Sequence, residues 1–162
     1  DQNKPHLRVE HRTPSSGPTH IDTIGNIAFY TGLSFKLSKM DHRNLSYATI
    51  EKNFYNACQH GLNAEVTWLD GKTVSLKDLL EFELFPLAKQ GLEELDIAPH
   101  DRELFLDHVI LPRIQSGQNG SQWQKNFVQN NGKDFQALTA KYYEWQEKDV
   151  PVHEWKLSLI HI

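Results

Sequence analysis

The chain has 162 residues, of which 38% are hydrophobic and 10% aromatic, and it contains 17 Lys and Arg against 21 Asp and Glu. This length and composition predict one globular domain and exclude a chain that is disordered throughout. The formal net charge of -4, without clustered Lys and Arg, argues against a nucleic-acid partner. No apolar run approaches the roughly 18 residues of a membrane span, so we expect no membrane partner.

The chain start and the cysteine content predict the cellular setting. The first residues contain neither an initiator Met nor the apolar stretch of a signal peptide, so we expect a piece of a longer chain. Cys58 is the single cysteine, and a protein without an internal disulfide is expected in a reducing cytoplasm. Because one cysteine among apolar neighbours is usually a packing residue, we interpret Cys58 as part of the core rather than as a nucleophile.

A strand and a helix are predicted at the start of the chain. Residues 6–13 alternate apolar and charged side chains, which is typical of a half-buried strand. Thr19 and Asp22 have the spacing of a capping box, so we expect a helix that begins there and ends near residue 40. Its two glycines, Gly25 and Gly32, permit close packing by another element. The predicted apolar stripe of this helix consists of Ile24, Ala28, Thr31 and Phe35.

A second helix and a hairpin follow. Residues 44–60 have helical periodicity, and Gly61 is a typical helix end. The predicted inner face of this helix consists of Tyr47, Ile50, Phe54, Ala57 and Cys58. Two short strands are expected around Asp70-Gly71, a dipeptide that favours a two-residue hairpin turn.

Two long helices are predicted after the hairpin. Ser75 and Asp78 have capping-box spacing, so we expect a helix that begins there, continues to about residue 95 and bends at Pro86. Residues 100–116 are also helical in pattern, and Pro112 is expected to kink or interrupt them.

Two shorter helices are predicted before an irregular tail. Ser121 and Gln124 again have capping-box spacing, before a helix that ends near residue 130. The Asn131-Gly132 dipeptide separates it from a last helix over residues 134–147. Residues 156–162 lack periodicity and are expected to form an irregular tail.

Glu10 and Arg12 on the predicted first strand are the candidate catalytic pair. They lie on one face of that strand, roughly 6.6 Å apart, because side chains return to the same face at every second residue. A carboxylate suits Mg²⁺, and an arginine beside it can grip a phosphoryl or carboxylate group in bidentate geometry. Such a pair would neutralise charge during phosphoryl transfer. On spacing alone, cross-strand ion pairs on a solvated face are the favoured interpretation, because alternating charged residues are common.

Other site patterns are absent or have a simpler interpretation. The nine histidines include no His-x-x-x-His pair on a helix, and there is no cysteine cluster, so we expect no zinc site. No Gly-x-Ser-x-Gly motif indicates a nucleophilic serine, although composition leaves a Ser-His-Asp triad open. Glu81 and Glu83 point about 200° apart around a helix, which predicts a solvated helix surface rather than paired carboxylates.

Three stretches of the chain carry a family resemblance. The first, at residues 6–33, is HLRVEHRTPSSGPTHIDTIGNIAFYTGL. The second, at residues 54–76, is FYNACQHGLNAEVTWLDGKTVSL with its Ala-Cys-x-x-Gly-Leu core, and the third, at residues 116–145, is SGQNGSQWQKNFVQNNGKDFQALTAKYYEW. Together, and in this order, they resemble the glutamate-cysteine ligase family, specifically its carboxylate-amine ligase branch.

The resemblance implies an ATP-dependent ligase that phosphorylates a substrate carboxylate and lets an amine attack the resulting acyl phosphate. It implies that Glu10 binds an active-site Mg²⁺ and that Arg12 is a catalytic contact to phosphate or substrate. It also places His60, which precedes Gly61 and Leu62, near the substrate. The implied partners are small-molecule amino acid substrates, and the implied cofactors are ATP and Mg²⁺.

The expected fold class is α+β, mostly helical with a short antiparallel sheet. We expect residues 1–155 to form the C-terminal portion of a glutamine-synthetase-like ligase catalytic domain. Family members are longer, and their earlier half supplies a Glu-x-Glu metal pair, so a missing N-terminal half is the expected partner and the isolated fragment is expected to be inactive. The alternatives are a noncatalytic helical interaction or regulatory domain and a scaffold with an unrelated function.

Overall fold

The computed structural model describes residues 16–41 and 45–157. The predicted strand at residues 6–13, with Glu10 and Arg12, lies outside these ranges. The described part is mostly helical with one two-stranded antiparallel sheet, which confirms the coarse α+β prediction. Within these ranges, no helix combines the length and the apolar character that crossing a membrane requires.

The described chain is a series of helices with a single hairpin inserted. The helices are α1 (His20–Leu37), α2 (Tyr47–His60), α3 (Leu76–Leu79), α4 (Phe85–Glu94), α5 (Pro99–Arg102), α6 (Leu111–Ser116), α7 (Gly120–Asn131) and α8 (Phe135–Glu147). The hairpin strands are β1 (Glu65–Thr67) and β2 (Thr73–Ser75). The π-helical segments π1 (Leu80–Leu84) and π2 (Glu103–Ile110) join α3 to α4 and α5 to α6, and short 3-10 helices lie at Gly61–Asn63 and Val152–Glu154.

Helix α1 begins as its capping pattern predicts. The Thr19 hydroxyl accepts a hydrogen bond from the Asp22 backbone N–H at 3.2 Å. The Asp149 carboxylate, just beyond α8, accepts hydrogen bonds from the backbone N–H groups of His20 and Ile21. Because the first turn of a helix leaves N–H donors without intrahelical partners, these contacts satisfy them and tie the start of α1 to the end of α8.

The buried face of α1 differs from the predicted apolar stripe. Ile24 is 45% exposed, whereas Gly25 and Gly32 are buried. A β-carbon on Gly32 would lie 2.1 Å from the Ala88 carbonyl oxygen, and one on Gly91 would lie 2.0 Å from the Gly32 carbonyl oxygen. The backbones of α1 and α4 are therefore in direct contact, which confirms the close packing expected at these glycines and leaves no room for larger side chains.

Pro86 and Pro112 each follow a π-helical segment. The residues just before them, Phe85 and Leu111, donate their backbone N–H groups to the carbonyl oxygens of Leu80 and Leu106, five residues earlier in each case. Proline lacks an N–H donor, and its ring crowds the preceding turn. At both predicted bends the helix therefore widens locally and continues instead of ending.

The predicted hairpin is present, but its turn is longer than expected. Val66 pairs with Val74, and beyond the strands the Trp68 N–H donates to the Lys72 carbonyl oxygen at 2.9 Å. The prediction of a two-residue turn is therefore wrong, because the loop has three residues, 69–71. Gly71 has a φ of 79° and supplies the left-handed residue that ends such a loop.

The predicted inner face of helix α2 is largely exposed to solvent. None of its residues is buried, Tyr47 is 80% exposed and Cys58 is exposed, so the core interpretation of Cys58 is wrong. Polar contacts attach α2 to the hairpin. The Asn53 side chain donates to the Thr67 carbonyl oxygen at 2.7 Å and accepts from the Thr67 N–H at 2.9 Å. Helical periodicity identified the apolar face of α2 but could not show whether a neighbour covers it.

The C-terminal helices enclose an aromatic cluster. Trp123 and Phe127 of α7 are fully buried, and their rings lie 5.3 Å apart. Trp155 packs edge-on against Trp123 at a ring separation of 5.4 Å. Leu157, in the predicted tail, packs against the same cluster. The apolar interior near the end of the chain is therefore built mainly from large aromatic rings.

The caps of α7 and α8 are asparagine and aspartate. The Asn119 side chain accepts the Gln122 backbone N–H at 2.9 Å, so the predicted cap at Ser121 is wrong and α7 begins two residues earlier. Asn and Ser are about equally good caps, and the backbone of Asn119 has the extended conformation that a cap needs. For α8 the Asp134 carboxylate accepts the Ala137 backbone N–H, as the predicted start at residue 134 requires.

Candidate functional site

The predicted site residues are only partly within the described structure. Glu10 and Arg12 lie outside the described residues. His60 is the last residue of α2, is exposed and lines a polar cleft. Across residues 16–41 and 45–157, no group of three or more His, Cys, Asp or Glu is arranged to hold a metal ion. The magnesium prediction therefore rests on Glu10.

Glu81 and Glu83 make separate contacts. The Glu81 carboxylate accepts a hydrogen bond from the Gln115 amide at 2.8 Å. The Glu83 carboxylate accepts one from the Trp68 indole N–H at 2.5 Å. The two carboxylates therefore bind different neighbours, in agreement with their interpretation as helix-surface residues rather than as a metal pair.

A buried carboxylate, Asp22, joins several elements near the start of α1. Its side chain is fully buried. It accepts hydrogen bonds from the Thr19 hydroxyl at 2.8 Å, the Val152 N–H at 3.1 Å and the Arg113 guanidinium at 3.3 Å. Because a buried charge is tolerated only when it is paired and hydrogen-bonded, these three donors explain how Asp22 can lie in the interior.

The guanidinium of Arg113 lies between this carboxylate and a cleft. It also donates to the Asn26 side-chain oxygen, and the Arg113 side chain is 15% exposed. Burial lowers the pKa of Arg113, the charge of Asp22 opposes that shift, and arginine stays protonated at neutral pH. Because a guanidinium has five N–H donors, Asp22 and Asn26 leave others for a ligand in the cleft.

This cleft, called the small cleft below, has a volume of about 520 Å³. Arg113 is the charged residue on its wall, and no described Asp or Glu lines it. Its other lining residues are Ser16, Gly17, Pro18, Asn26, Asn119, Gly120, Ser121, Gln124 and Tyr142. One cation among amide and hydroxyl groups is an arrangement that suits a small carboxylate.

Gly120 allows α7 to approach the start of α1 at this cleft. A β-carbon on Gly120 would lie 2.9 Å from Pro18 Cγ and 3.1 Å from the Tyr142 hydroxyl oxygen. Burial raises the pKa of Tyr142, and the Asp22 carboxylate adds to the shift. The Tyr142 phenol is therefore a protonated hydrogen-bond donor on the cleft wall at neutral pH.

His153 completes the polar interior around Asp22. Burial lowers the pKa of His153, against the opposing charges of Glu154 and Asp22, while the Arg113 charge lowers it further. Its Nδ1 atom is buried and has no hydrogen-bond partner among the described residues. The imidazole is therefore neutral at pH 7, which leaves Arg113 as the cation beside Asp22.

A second cleft, called the large cleft below, adjoins the small one. It has a volume of about 680 Å³ and shares Asn119 and Ser121 with the small cleft. Lys77 and Lys125 are its cationic residues, and no described Asp or Glu lines it. Its other lining residues are Cys58, Gln59, His60, Gly61, Leu62, Asn63, Ser116, Gly117, Gln122 and Asn126.

Sequence reasoning missed the residues that hold the small cleft together. Gln118, in the turn before α7, donates its amide to the carbonyl oxygens of Val152 at 2.9 Å and Trp155 at 3.0 Å. Asp22 and Arg113 are separated by 91 residues. A single sequence contains no signal for such distant pairs, and the polar residues around Gln118 have no local pattern that indicates its contacts.

Comparisons with known proteins do not assign the chain to a family. No family model, no curated protein and no solved structure matches it. The resemblance to the carboxylate-amine ligases therefore stays an expectation from the sequence.

Proposed function

We propose that this chain is the C-terminal part of an ATP-dependent carboxylate-amine ligase and that the two clefts belong to its substrate site. The main support for the proposal is that residues from the three resembling stretches line the two clefts. Apart from Arg113, every lining residue of the small cleft comes from residues 6–33 or 116–145. Apart from Lys77, every lining residue of the large cleft comes from residues 54–76 or 116–145.

This convergence supports the proposal because the three stretches are far apart in the chain. They hold half of its residues, so clefts unrelated to them would draw much of their lining from the other half. The resemblance depends on residue identities alone, whereas the clefts depend on the arrangement of residues in space. Agreement between two independent observations favours a shared functional site.

The proposed catalytic pair is close in the sequence to a residue that lines the small cleft. Ser16 lines that cleft, and four peptide units separate it from Arg12. This short separation along the sequence is why the proposal assigns Glu10 and Arg12 to the same site as the cleft that Arg113 lines.

The proposed reaction has two steps. A carboxylate oxygen attacks the terminal phosphorus of ATP, the bond from that phosphorus to the bridging oxygen breaks, and ADP leaves with the bonding electrons. An amine then attacks the acyl carbon and loses a proton, and inorganic phosphate leaves. In this proposal Arg113 binds a substrate carboxylate, Glu10 binds Mg²⁺, Arg12 contacts phosphate and His60 lies near an amino acid substrate.

The test measures amine-dependent ADP formation by this chain together with the polypeptide encoded directly before Asp1. We expect Glu10→Gln to lower kcat by about a hundredfold, because charge stabilisation at the phosphoryl group is lost. Glu147→Gln, which changes an exposed carboxylate on α8, serves as the control and should leave kcat unchanged. Unchanged turnover in a folded Glu10→Gln variant, or an initiation codon directly before Asp1, would contradict the proposal.

A second candidate function is a noncatalytic interaction or regulatory domain, which the uncovered side of α2 favours. Tyr47, Ile50, Phe54 and Tyr55 are each at least 49% exposed. Contiguous exposed apolar side chains are typical of interaction surfaces. The ligase proposal assigns this surface to a missing N-terminal half of the same domain. The two candidates differ in activity, because the noncatalytic domain would form no ADP with any amine.

A further inference from the structure

We infer that the large cleft binds a ligand that carries two or more linked phosphate groups. This inference deepens the ligase proposal, on which it rests for ATP as the natural ligand, and its own support is the charge and shape of the large cleft. The protein has a net charge of -4, yet the cleft contains two lysines and no described carboxylate. Its local charge is therefore opposite to that of the whole chain.

Lys77 is held in place at the wall of the cleft. Its ammonium group donates a hydrogen bond to the Gln115 carbonyl oxygen at 2.7 Å, near the end of α6. Because an ammonium group has three N–H donors, this bond positions the charge and leaves two donors for an anion. No described carboxylate lies within 4.0 Å of it, whereas Lys36, Lys89 and Lys141 each form an ion pair.

Lys125 supplies a second charge from α7. It is exposed, and no described residue forms a hydrogen bond or ion pair with its ammonium group. An unpaired lysine is ordinary on an open surface, but here it shares a cleft with Lys77. Two cationic groups in one cavity attract an anion more strongly than either does alone.

The arrangement suits linked phosphates better than a single carboxylate. A volume of about 680 Å³ is within the range of small-molecule sites, and two lysines on the lining match more than one anionic group. Lysine binds phosphate as a point charge, and Asn63 and Gln122, which also line the large cleft, have neutral amide donors. The small cleft, with one cation, is by contrast matched to one anionic group.

Cys58 provides a reporter for this cleft. It lines the cleft, is exposed and is the single cysteine of the chain, so a thiol reagent labels this position alone. The experiment measures the alkylation rate with uncharged iodoacetamide, in EDTA and at constant ionic strength, while tripolyphosphate or ATP is added. We expect saturable protection by both ligands. Equal half-protecting concentrations of the two ligands would show that the phosphates alone are recognised. A lower half-protecting concentration of ATP would show that the nucleoside adds contacts. Both results support the inference.

Lysine variants connect the protection to the proposed contacts. We expect Lys125→Met to raise the half-protecting concentration about tenfold, since one charged hydrogen bond is lost. Lys125 makes no described contact, so this variant should fold normally. Lys77→Met should have a similar effect, with its fold checked by circular dichroism because the contact to Gln115 is also lost. Lys133→Met, an exposed lysine that lines neither cleft, is the matched control and should leave protection unchanged.

Three results would overturn the inference: no protection by either ligand, equal protection by sulfate at the same ionic strength, or unaltered protection in Lys125→Met. Each would show that the cleft does not select linked phosphates. Because the alkylation assay needs no turnover, it separates this inference from the ligase proposal. Protection without ADP formation would contradict the ligase proposal alone, and ADP formation without protection would contradict the phosphate cleft alone.

Discussion

The Arg113 guanidinium lies 3.3 Å from the buried Asp22 carboxylate, although 91 residues separate the two in the chain. This ion pair connects α6 to the first turn of α1. It also fixes the cation that lines the small cleft, because Asn26 holds the same guanidinium from α1. Structure and proposed substrate binding therefore depend on one pair of side chains.

Removing the carboxylate should destabilise the fold. We expect Asp22→Ala to lower the free energy of unfolding by about 3 kcal/mol, because it leaves Arg113 without its counter-charge and Val152 without a buried hydrogen-bond acceptor. The measurement is urea denaturation of the 162-residue chain. Combining Asp22→Ala with Arg113→Met in a double-mutant cycle should give a coupling energy of about 2 kcal/mol. A coupling energy near zero would show that the two charges do not stabilise each other.

The contact between α1 and α4 should tolerate no added carbon. We expect Gly91→Ala to lower the free energy of unfolding by about 3 kcal/mol, because its β-carbon would lie 2.0 Å from the Gly32 carbonyl oxygen and would force the helices apart. Thr31→Ala, at an exposed position on α1, is the control and should change stability by less than about 0.5 kcal/mol. Thermal unfolding measures both, and a Gly91→Ala variant as stable as the original chain would rule out the backbone contact.

The stability of the fold should depend on the protonation of His153. Burial lowers the pKa of His153 below its ordinary value of 6.5, so the unfolded chain binds a proton at pH values where the folded chain does not. The contribution of His153 to stability is therefore complete above about pH 6.5 and decreases as the pH falls below it. In His153→Gln, we expect the loss of stability between about pH 7.5 and about pH 5 to be smaller.

Urea midpoints measured across this pH range test the His153 prediction. His100→Gln is a suitable control, because His100 is exposed and its side chain forms no described ion pair, and the stability of this variant should have the same pH profile as that of the original chain. Identical profiles for His153→Gln and the original chain would show that burial of the imidazole has no effect on stability.

Local patterns in the sequence predicted local structure well. The capping residues Thr19, Ser75 and Asp134 begin helices in the structure, because a cap depends on a hydrogen bond to a backbone group three residues away. The helix break at Gly132 depends likewise on a left-handed backbone, with a φ of 78°. The cap at Ser121 was wrong because Asn119, an equally good cap, comes first.

Predictions that required knowledge of a neighbour were less accurate. The periodicity of α2 identified an apolar face, but Phe54 on that face is 49% exposed, because the described chain supplies no element to cover it. The buried face of α1 is formed by Gly25 and Gly32, since contact with the α4 backbone requires small residues rather than apolar ones. Neither outcome can be derived from one helix alone.

The candidate site was predictable only in part. His60 was linked to a substrate by resemblance, and it lines the large cleft. Arg113 and Lys77 lie outside the resembling stretches, and their positions depend on contacts with Asp22 and with the Gln115 carbonyl oxygen. Such contacts follow from the packing of several helices and leave no periodic pattern in the sequence.

The central claim is that the small cleft binds the carboxylate substrate of a ligase. The most direct test measures the KM for glutamate, which serves as the probe carboxylate. The assay is amine-dependent ADP formation by the chain joined to the polypeptide encoded directly before Asp1. Gln124 lines the small cleft and has no described hydrogen-bond partner, so Gln124→Ala should raise KM about tenfold with little change in kcat or stability. Gln136→Ala, an exposed glutamine on α8, should leave KM unchanged. An unchanged KM in Gln124→Ala, or an equal rise in both variants, would contradict the claim.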